Sequence, residues 1–265
     1  MSESEKLLGD LERFFKDKEI FSQRKVETEF LIVRCDGRNF RKLSKRLNLK
    51  RFDARFNEIF VKSAMNLMRN SGFDIRVAFV ASDEVSFLFK SIPFNGRVEK
   101  IDSVIASLFS SIFTIHLMET FDKGISVAFD ARVIALDSLE EVVDYFLWRQ
   151  NDIFRNFLNN WAQEALLQEL KSMGKVSKAL ENLKATELIK IIEKKFGPIE
   201  KFPDWQRLGT FIFSEWFKKE AIDIRKGKKV KVIRRRFTIE HINCLKQREY
   251  FFERIRKALS LKPKG

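Results

Sequence analysis

A β-hairpin can be read directly from residues 77–89, VAFVASDEVSFLF, in which two apolar runs are joined by Ser-Asp-Glu. Strand-like segments also occur at 28–37 (TEFLIVRCDG) and 125–136 (ISVAFDARVIAL), and amphipathic helical patterns occupy 52–71 and 97–120. The order is therefore β-α-β-β-α-β. It predicts an α+β fold with a ferredoxin-like antiparallel sheet, helices on one face, and the first and third strands as neighbours.

The pattern changes after residue 137. A long helix is predicted over 138–170 and a second over about 176–195, followed by a Pro- and Gly-containing loop at 196–209. Residues 224–240 have β character around a Gly-Lys turn. We therefore divide the chain into residues 1–137, with an N-terminal helix, and residues 138–265, a mainly helical part that carries a basic β-hairpin.

Composition narrows the function classes. The chain has 265 residues, of which 45% are hydrophobic, and no apolar run of about eighteen residues, so we expect no membrane-spanning helix. Its charged N-terminus is unlike a signal peptide, and two distant cysteines suit a reduced, cytoplasmic protein. The 51 Lys and Arg exceed the 37 Asp and Glu by a formal charge of +14, which favours a polyanionic partner such as nucleic acid.

Two aspartates are candidates for a metal site. Asp36 ends the first predicted strand and Asp83 lies in the hairpin, so the predicted topology brings them to one end of the sheet. Carboxylates that lie close together repel each other, and a divalent cation such as Mg²⁺ is their natural counter-charge. Glu84 would help to hold such a site. The alternative is an ordinary polar turn, in which Ser82 and Asp83 make local hydrogen bonds.

The motifs RCDGRNF (34–40) and SDEVSFLF (82–89) resemble the tRNA-His guanylyltransferase family, whose hallmarks are D-G-R-x-F and S-D-E. FDARV and YFLWRQND resemble later parts of that family, and PFNGRVEK and PDWQRLG resemble its archaeal-type members. The resemblance implies a polymerase-like palm that extends the 5′ end of tRNA in the 3′-5′ direction. It also implies GTP and ATP as substrates, two Mg²⁺ ions as cofactors, and a homo-oligomer, either a tetramer or a dimer.

By this resemblance the metal ligands are Asp36, the carbonyl of Gly37 and Asp83, with Asp36, Asp83 and Glu84 as the catalytic set. The implied nucleotide-binding residues are Asp36, Gly37, Arg38, Asn39, Phe40, Arg41, Lys50, Ser82 and Asp83. Phe40 would pack against either a base or the core, and Lys50 has the alternative of a solvated loop lysine.

A second triphosphate is predicted to contact Arg97 and Lys100, at the start of a helix, together with Asn156 and Asn160. Eukaryotic-type members of the family carry H-I-N-N-L-Y-N after W-R-Q, and here Phe154 and Asn159 replace its His and Tyr. This departure favours general repair of tRNA 5′ ends over addition restricted to tRNA-His, and both remain open. The alternative for the two asparagines is helix capping or a plain polar surface.

Residues 225–236 contain eight Lys or Arg. A basic ribbon of this kind suits contact with an RNA backbone, for which we predict Lys228, Lys229, Lys231, Arg234, Arg235 and Arg236. The alternative is an edge hairpin whose lysines discourage aggregation. No tryptophan is assigned to the substrate. Two rival functions are a palm-type nucleotide cyclase, which has no need of the ribbon, and a non-catalytic RNA-binding module, in which paired acids would have no purpose.

Overall fold

A computed structural model describes residues 3–21, 24–223 and 227–260. The described residues contain six strands: β1 (Phe30–Gly37), β2 (Ile75–Ala81), β3 (Glu84–Phe89), β4 (Phe129–Leu136), β5 (Thr210–Asp223) and β6 (Lys228–Glu240). All pairings are antiparallel, in one sheet with the order β4-β1-β3-β2-β5-β6. The predicted pairing of the first and third strands is confirmed, and the fold is mixed α/β.

The helices are α1 (Glu3–Lys16), α2 (Phe40–Arg46), α3 (Ala54–Asn70), α4 (Val98–Phe121), α5 (Leu139–Leu170), α6 (Met173–Leu180), α7 (Ala185–Phe196), α8 (Asp204–Leu208) and α9 (Arg248–Ala258). Short 3₁₀ helices lie at Pro93–Gly96 and Ile199–Lys201. The long helix predicted over 138–170 is confirmed almost to the residue as α5. The helix predicted over 176–195 is in fact two, α6 and α7, separated by a segment in which Asn182 has a φ of 62°.

Apolar residues cover both faces of the sheet. Leu31, Val33 and Cys35 of β1 lie in one apolar cluster with α3 and α4, whereas Ile32 lies in another with α5 and α9. Both β2 and β3 are buried along their whole length. The prediction of helices on one face is therefore wrong, because strands that are apolar in both phases need cover on both sides.

Within the described part of the chain, α4 alone is long and apolar enough to cross a membrane by length and composition. The expectation that no segment would pass that test was therefore too strict. Every fourth residue of α4, from Ile101 through Ile105, Phe109 and Phe113 to Leu117, is fully buried in the cluster that lies against β1 and α3. We interpret α4 as a core helix of the folded domain.

The sheet continues across the boundary predicted at residue 137. Strand β5 follows that boundary in sequence, yet its residues Thr210–Phe213 pair with Val77–Val80 of β2. This strand was not predicted, and the segment taken as a loop at 196–209 contains a 3₁₀ turn and α8. The second half of the chain thus contributes two of the six strands to the sheet.

Candidate active site

The carboxylates of the predicted metal site lie at one end of the sheet. In the register of β1 and β3, Asp36 is directly opposite Glu84. The Gly37 N–H donates a hydrogen bond to the Asp83 carbonyl at 2.9 Å, which fastens the end of β1 to the β2–β3 turn. The sheet therefore brings together the two aspartates that the sequence places on separate strands.

The backbone around these residues is held in uncommon conformations. Ser82 and Asn39 both have a φ of 61°, in the left-handed region that costs a side-chain-bearing residue about 1–2 kcal/mol. A Cβ on Gly37 would lie 2.3 Å from the ring of Phe40, so only glycine fits there. Phe40 is itself buried in the aromatic cluster formed with Phe56, Phe60, Phe113 and Phe129. Of its two predicted roles, the structure gives Phe40 the core one.

The electrostatics of Asp83 suit a cation. Burial raises the pKa of the Asp83 carboxyl above its ordinary value, and the charge of nearby Asp36 raises it further. Hydrogen bonds from the backbone and from the Ser82 side chain lower this pKa in part. Within the described ranges, no group of three or more His, Cys, Asp or Glu could hold a metal by itself. Two carboxylates and the Gly37 carbonyl nevertheless fit Mg²⁺, which takes few protein ligands and completes its shell with water and phosphate oxygens.

Glu84 makes a different contact. Its two carboxylate oxygens accept hydrogen bonds from Nε and Nη2 of Arg149, each at 2.8 Å, and Arg149 Nη1 also reaches Asp152 at 2.6 Å. The side chains of Arg149 and Glu84 are only 12% and 11% exposed. Because both oxygens of Glu84 are occupied, we assign it to holding the turn in place rather than to binding a metal. Arg149 was not predicted as a site residue, although an arginine among the buried positions of a long helix indicates a buried acidic partner.

The next residue fixes the same helix on its other side. The side chain of Gln150 donates to the carbonyls of Leu208 and Ile242, at 2.7 and 2.8 Å, and accepts from the Cys244 N–H at 2.8 Å. It is buried. Helix α5 is therefore fastened to the β2–β3 turn by Arg149 and to the C-terminal segment by Gln150.

Two of the predicted phosphate-binding residues, Arg38 and Arg41, lie in or directly after the turn that follows Asp36, and Lys50 lies in the loop after α2. Arg38, Arg41 and Lys50 are exposed. A cavity of about 340 Å³ lies against this turn. It is lined by Arg38, Asn39, Lys42, Leu43, Arg46 and residues 125–128. Three basic side chains thus face one cavity, whose lining begins two residues after Asp36 and includes none of the three carboxylates. Lys42 and Arg46 were not predicted.

Arg97 and Lys100 lie far from the two aspartates. Lys25 pairs with Arg97, and the Val98 N–H donates to the Arg24 carbonyl, so this segment adjoins the start of β1. Asp36 is near the other end of β1, about 20 Å away. The contact of Arg97 and Lys100 with a second triphosphate therefore stays a prediction, at a place about 20 Å from Asp36 within the same chain. Strand β3 runs away from the carboxylates, so the helix that follows it begins at the far end.

The two predicted asparagines differ in their contacts. Asn156 is exposed on α5. Asn160 is half-buried, and its Oδ1 accepts a hydrogen bond from Arg51, in the loop that also carries Lys50. Asn160 therefore positions the loop between α2 and α3.

Residues 215–223 and 228–236 of β5 and β6 pair with each other beyond the reach of β2, and we call them the basic ribbon. Lys228, Lys229, Lys231 and Arg234 are exposed on it, whereas Arg225 and Lys226 lie outside the described residues.

Two arginines at the base of the ribbon are engaged internally. Arg236 is exposed but pairs with Glu215 at 3.1 Å. Arg235 donates to Ser214 Oγ and to the Ile75 carbonyl, and burial lowers its pKa. The guanidinium of Arg235 is thus engaged at the edge of the sheet, and its contact with RNA stays a prediction.

A family model described as Thg1, tRNAHis guanylyltransferase, matches residues 12–137. The chain is 30% identical to the probable tRNA(His) guanylyltransferase of Bos taurus, and the match covers 81% of this chain and 76% of that protein. It is 31% identical to the probable enzyme of Mus musculus, with the same coverage. The solved structure of a bacterial tRNA(His) guanylyltransferase (Thg1)-like protein in complex with ATP shares the fold, with a TM-score of 0.71 at 23% identity over 93% of this chain and 97% of that one. The chain belongs to the tRNA(His) guanylyltransferase family.

Proposed function

We propose that this protein is a nucleotidyltransferase of palm architecture that adds nucleotides, typically G, to the 5′ end of tRNA in the 3′-5′ direction. The observation that carries the proposal is the convergence of Asp36 and Asp83 at one end of the sheet. A basic cavity whose lining begins at Arg38, two residues after Asp36, supports it. Membership of the tRNA(His) guanylyltransferase family supports the reaction class. Solved complexes of structurally similar proteins with ATP and with GTP support nucleoside triphosphates as substrates.

We propose that Asp36, Asp83 and the Gly37 carbonyl hold two Mg²⁺ ions. When bound, such ions neutralise phosphate charge and lower the pKa of an attacking hydroxyl. The chain itself supplies positioning, on which phosphoryl transfer depends more than on a protein nucleophile. Arg38, Lys42 and Arg46 offer positive charge to a triphosphate, and the Glu84–Arg149 pair holds the turn that carries Asp83.

The basic ribbon favours an RNA substrate over a free nucleotide. Lys228, Lys229, Lys231 and Arg234 all project from β6, in the part of the β5–β6 pair that extends beyond β2. Lysines at such a position release counterions from an RNA backbone on binding. A nucleotide cyclase has no use for this ribbon, and a plain RNA-binding module has no use for paired aspartates.

Within this function we favour general repair of tRNA 5′ ends. Phe154 stands where the tRNA-His-specific pattern has His, and its ring lies 6.2 Å from that of Phe157 in the apolar cluster around α7. A phenylalanine packed in this way cannot donate a hydrogen bond to a base or phosphate. Addition restricted to tRNA-His is the second candidate, supported by the names of the relatives.

The test uses the purified full chain, Mg²⁺, ATP and labelled nucleotides with two RNAs. One RNA is tRNA-His that lacks its extra 5′ G, and the other is an unrelated tRNA that lacks its first nucleotide. Addition to both, lost on chelation of Mg²⁺ and in Asp83→Asn but kept in the exposed control Asp144→Asn, is the expected result. Addition to tRNA-His alone would favour an enzyme restricted to tRNA-His. Tight RNA binding without any addition would contradict the proposal that the protein is an enzyme.

We also propose a homo-oligomer, a tetramer or a dimer, and a cytoplasmic location. Light scattering on the purified chain measures the mass and hence the oligomeric state. Fractionation of cells that express the protein tests the cytoplasmic location.

A further inference from the structure

Trp148 stands apart from the other three tryptophans. Its side chain is 52% exposed, whereas Trp161, Trp205 and Trp216 are each at least partly covered. Trp161, for example, stacks on Phe52 at 5.8 Å and donates its Nε1–H to Gln206. Burial of an indole is strongly favourable, so an exposed one at a defined place points to something that covers it.

Neighbouring side chains on α5 fix the orientation of Trp148. Successive residues of a helix point about 100° apart. Gln150 is buried against the C-terminal segment and Arg149 is committed to Glu84, which leaves Trp148 on the remaining side of the helix. The ring of Tyr145, one turn earlier, contacts it edge-on at 5.8 Å. The indole is thus held in one place although half of it is accessible.

The uncovered indole lies over the end of the sheet that carries the carboxylates. The Arg34 guanidinium lies 5.5 Å from the centre of the Trp148 ring, and that of Arg149 lies 4.5 Å from it. Arg34 is two residues before Asp36 on the same face of β1, about 7 Å along the strand. Trp148 and Asp36 therefore border one stretch of open sheet.

The charge of this stretch is suited to a nucleotide. Arg34 is 9% exposed, and its Nε has no hydrogen-bond partner in the described structure. Across the strand pair, Arg132 is 57% exposed on the same face, with its Nε 3.7 Å from Asp130 Oδ1. An aromatic ring with guanidinium groups around it offers a base a stacking surface and its phosphates a positive field.

We propose that Trp148, which is 52% exposed and has the guanidinium groups of Arg34 and Arg149 near its ring, is a stacking platform for a nucleobase beside Asp36. This inference rests on the proposed function and deepens it, because it assigns a residue to the base rather than to the phosphates or the metal. The base belongs either to the nucleoside triphosphate or to the acceptor end of the RNA. Both sources would present a base that stacks on the indole, and separate titrations with GTP and with tRNA distinguish them.

The first measurement is tryptophan fluorescence of the full chain, titrated with GTP alone and with truncated tRNA alone, so that no turnover occurs. Stacking quenches an indole. We expect quenching by one of the two ligands in the wild type and loss of that component in Trp148→Phe. Quenching by GTP places the base of the nucleotide on Trp148, and quenching by tRNA places a base of the RNA there.

The second measurement is steady-state kinetics of Trp148→Leu, with Tyr250→Leu as a control, since Tyr250 is equally exposed (51%) but lies on α9. We expect KM for the quenching ligand to rise about tenfold in Trp148→Leu, to recover largely in Trp148→Phe, and to stay unchanged in Tyr250→Leu. Unchanged quenching and KM in an active Trp148→Leu enzyme would overturn the platform and leave the proposed function intact. Absence of addition by the wild type would overturn the proposed function, and the binding titration would still decide the platform.

Discussion

The guanidinium of Arg149 donates to both oxygens of Glu84 and to Asp152, all within one largely buried group. In such a pair the desolvation cost falls on whichever charge is left behind when the other is removed. The pair joins α5 to the turn that presents Asp83, so its loss would disturb the site as well as the fold. An exposed pair that joins the same helix to α9, Asp144 with Arg248, has no such burial.

We predict that Arg149→Met lowers the free energy of unfolding by about 3 kcal/mol, because it leaves Glu84 charged and buried without a partner. The control Arg248→Met removes an exposed pair and should cost less than about 1 kcal/mol. Urea unfolding of both variants gives the comparison. Equal costs would show that the buried pair has no special role, and recovery of stability in the double variant Arg149→Met/Glu84→Gln would show that the stranded charge caused the loss.

Asp102, on α4, is half-buried and its Oδ1 has no hydrogen-bond partner in the described structure. Burial raises its pKa to about 6. Because this pKa exceeds that of the unfolded chain, about 3.9, the folded state binds the proton more tightly. The resulting stability is complete below about pH 4 and is lost as the pH rises through 6.

We therefore predict that Asp102→Asn raises the free energy of unfolding by about 1 kcal/mol near pH 7.5 and leaves it unchanged near pH 4. The gain is smaller than the shift alone would give, because water reaches the exposed half of the carboxyl group. Thermal unfolding across this pH range measures it, as a rise in Tm of about 2–4 °C. The exposed control Asp144→Asn should show no such gain, and a pH-independent effect of Asp102→Asn would contradict the assignment.

Among the strands, β5 and β6 extend furthest beyond the rest of the sheet, in the basic ribbon. Only Thr210–Phe213 of β5 pair with β2, whereas β5 and β6 stay paired as far as Asp223 and Lys228. Its exposed lysines therefore face water on a surface that packs against little else, which suits a role in binding rather than in stability.

We predict that replacing Lys228, Lys229 and Lys231 together by Ala weakens tRNA binding and lowers the slope of log K against log salt by about 2 to 3, since each phosphate contact contributes about 0.7–0.9. Filter binding at several salt concentrations measures this slope. A charge-matched control replaces Lys16, Lys18 and Lys62, exposed lysines on or near α1 and α3. Equal loss of slope in both triple variants would mean that net charge alone governs binding.

At the scale of the whole molecule, the sequence predicted correctly those elements whose formation depends on residues close together in the chain. The VAFVASDEVSFLF hairpin and the 139–170 helix have strong periodicity, and the convergence of Asp36 with Asp83 follows from the order of strands. The features that the sequence did not predict depend on contacts between segments that are far apart in the chain. The second half of strand β5 belongs to the basic ribbon and contains a charged Lys-Lys-Glu stretch. This stretch interrupts the apolar pattern that begins at Thr210–Phe213, the part of β5 that pairs with β2. Arg149 could not be matched to Glu84 without the packing of α5 on the sheet.

The shared sheet also decides whether residues 1–137 can stand alone. Without the rest of the chain, β2 would have an open edge, and Ile32, Val77, Phe79 and Leu88 would lose the cover of α5 and α9. We predict that a fragment of residues 1–137 aggregates or binds a hydrophobic dye and shows no cooperative thermal transition. Co-expression with residues 138–265 should restore a soluble complex, because the missing strand and helices return in trans. A soluble, cooperatively folding 1–137 fragment would instead show that the boundary predicted from the sequence separates two independent folding units.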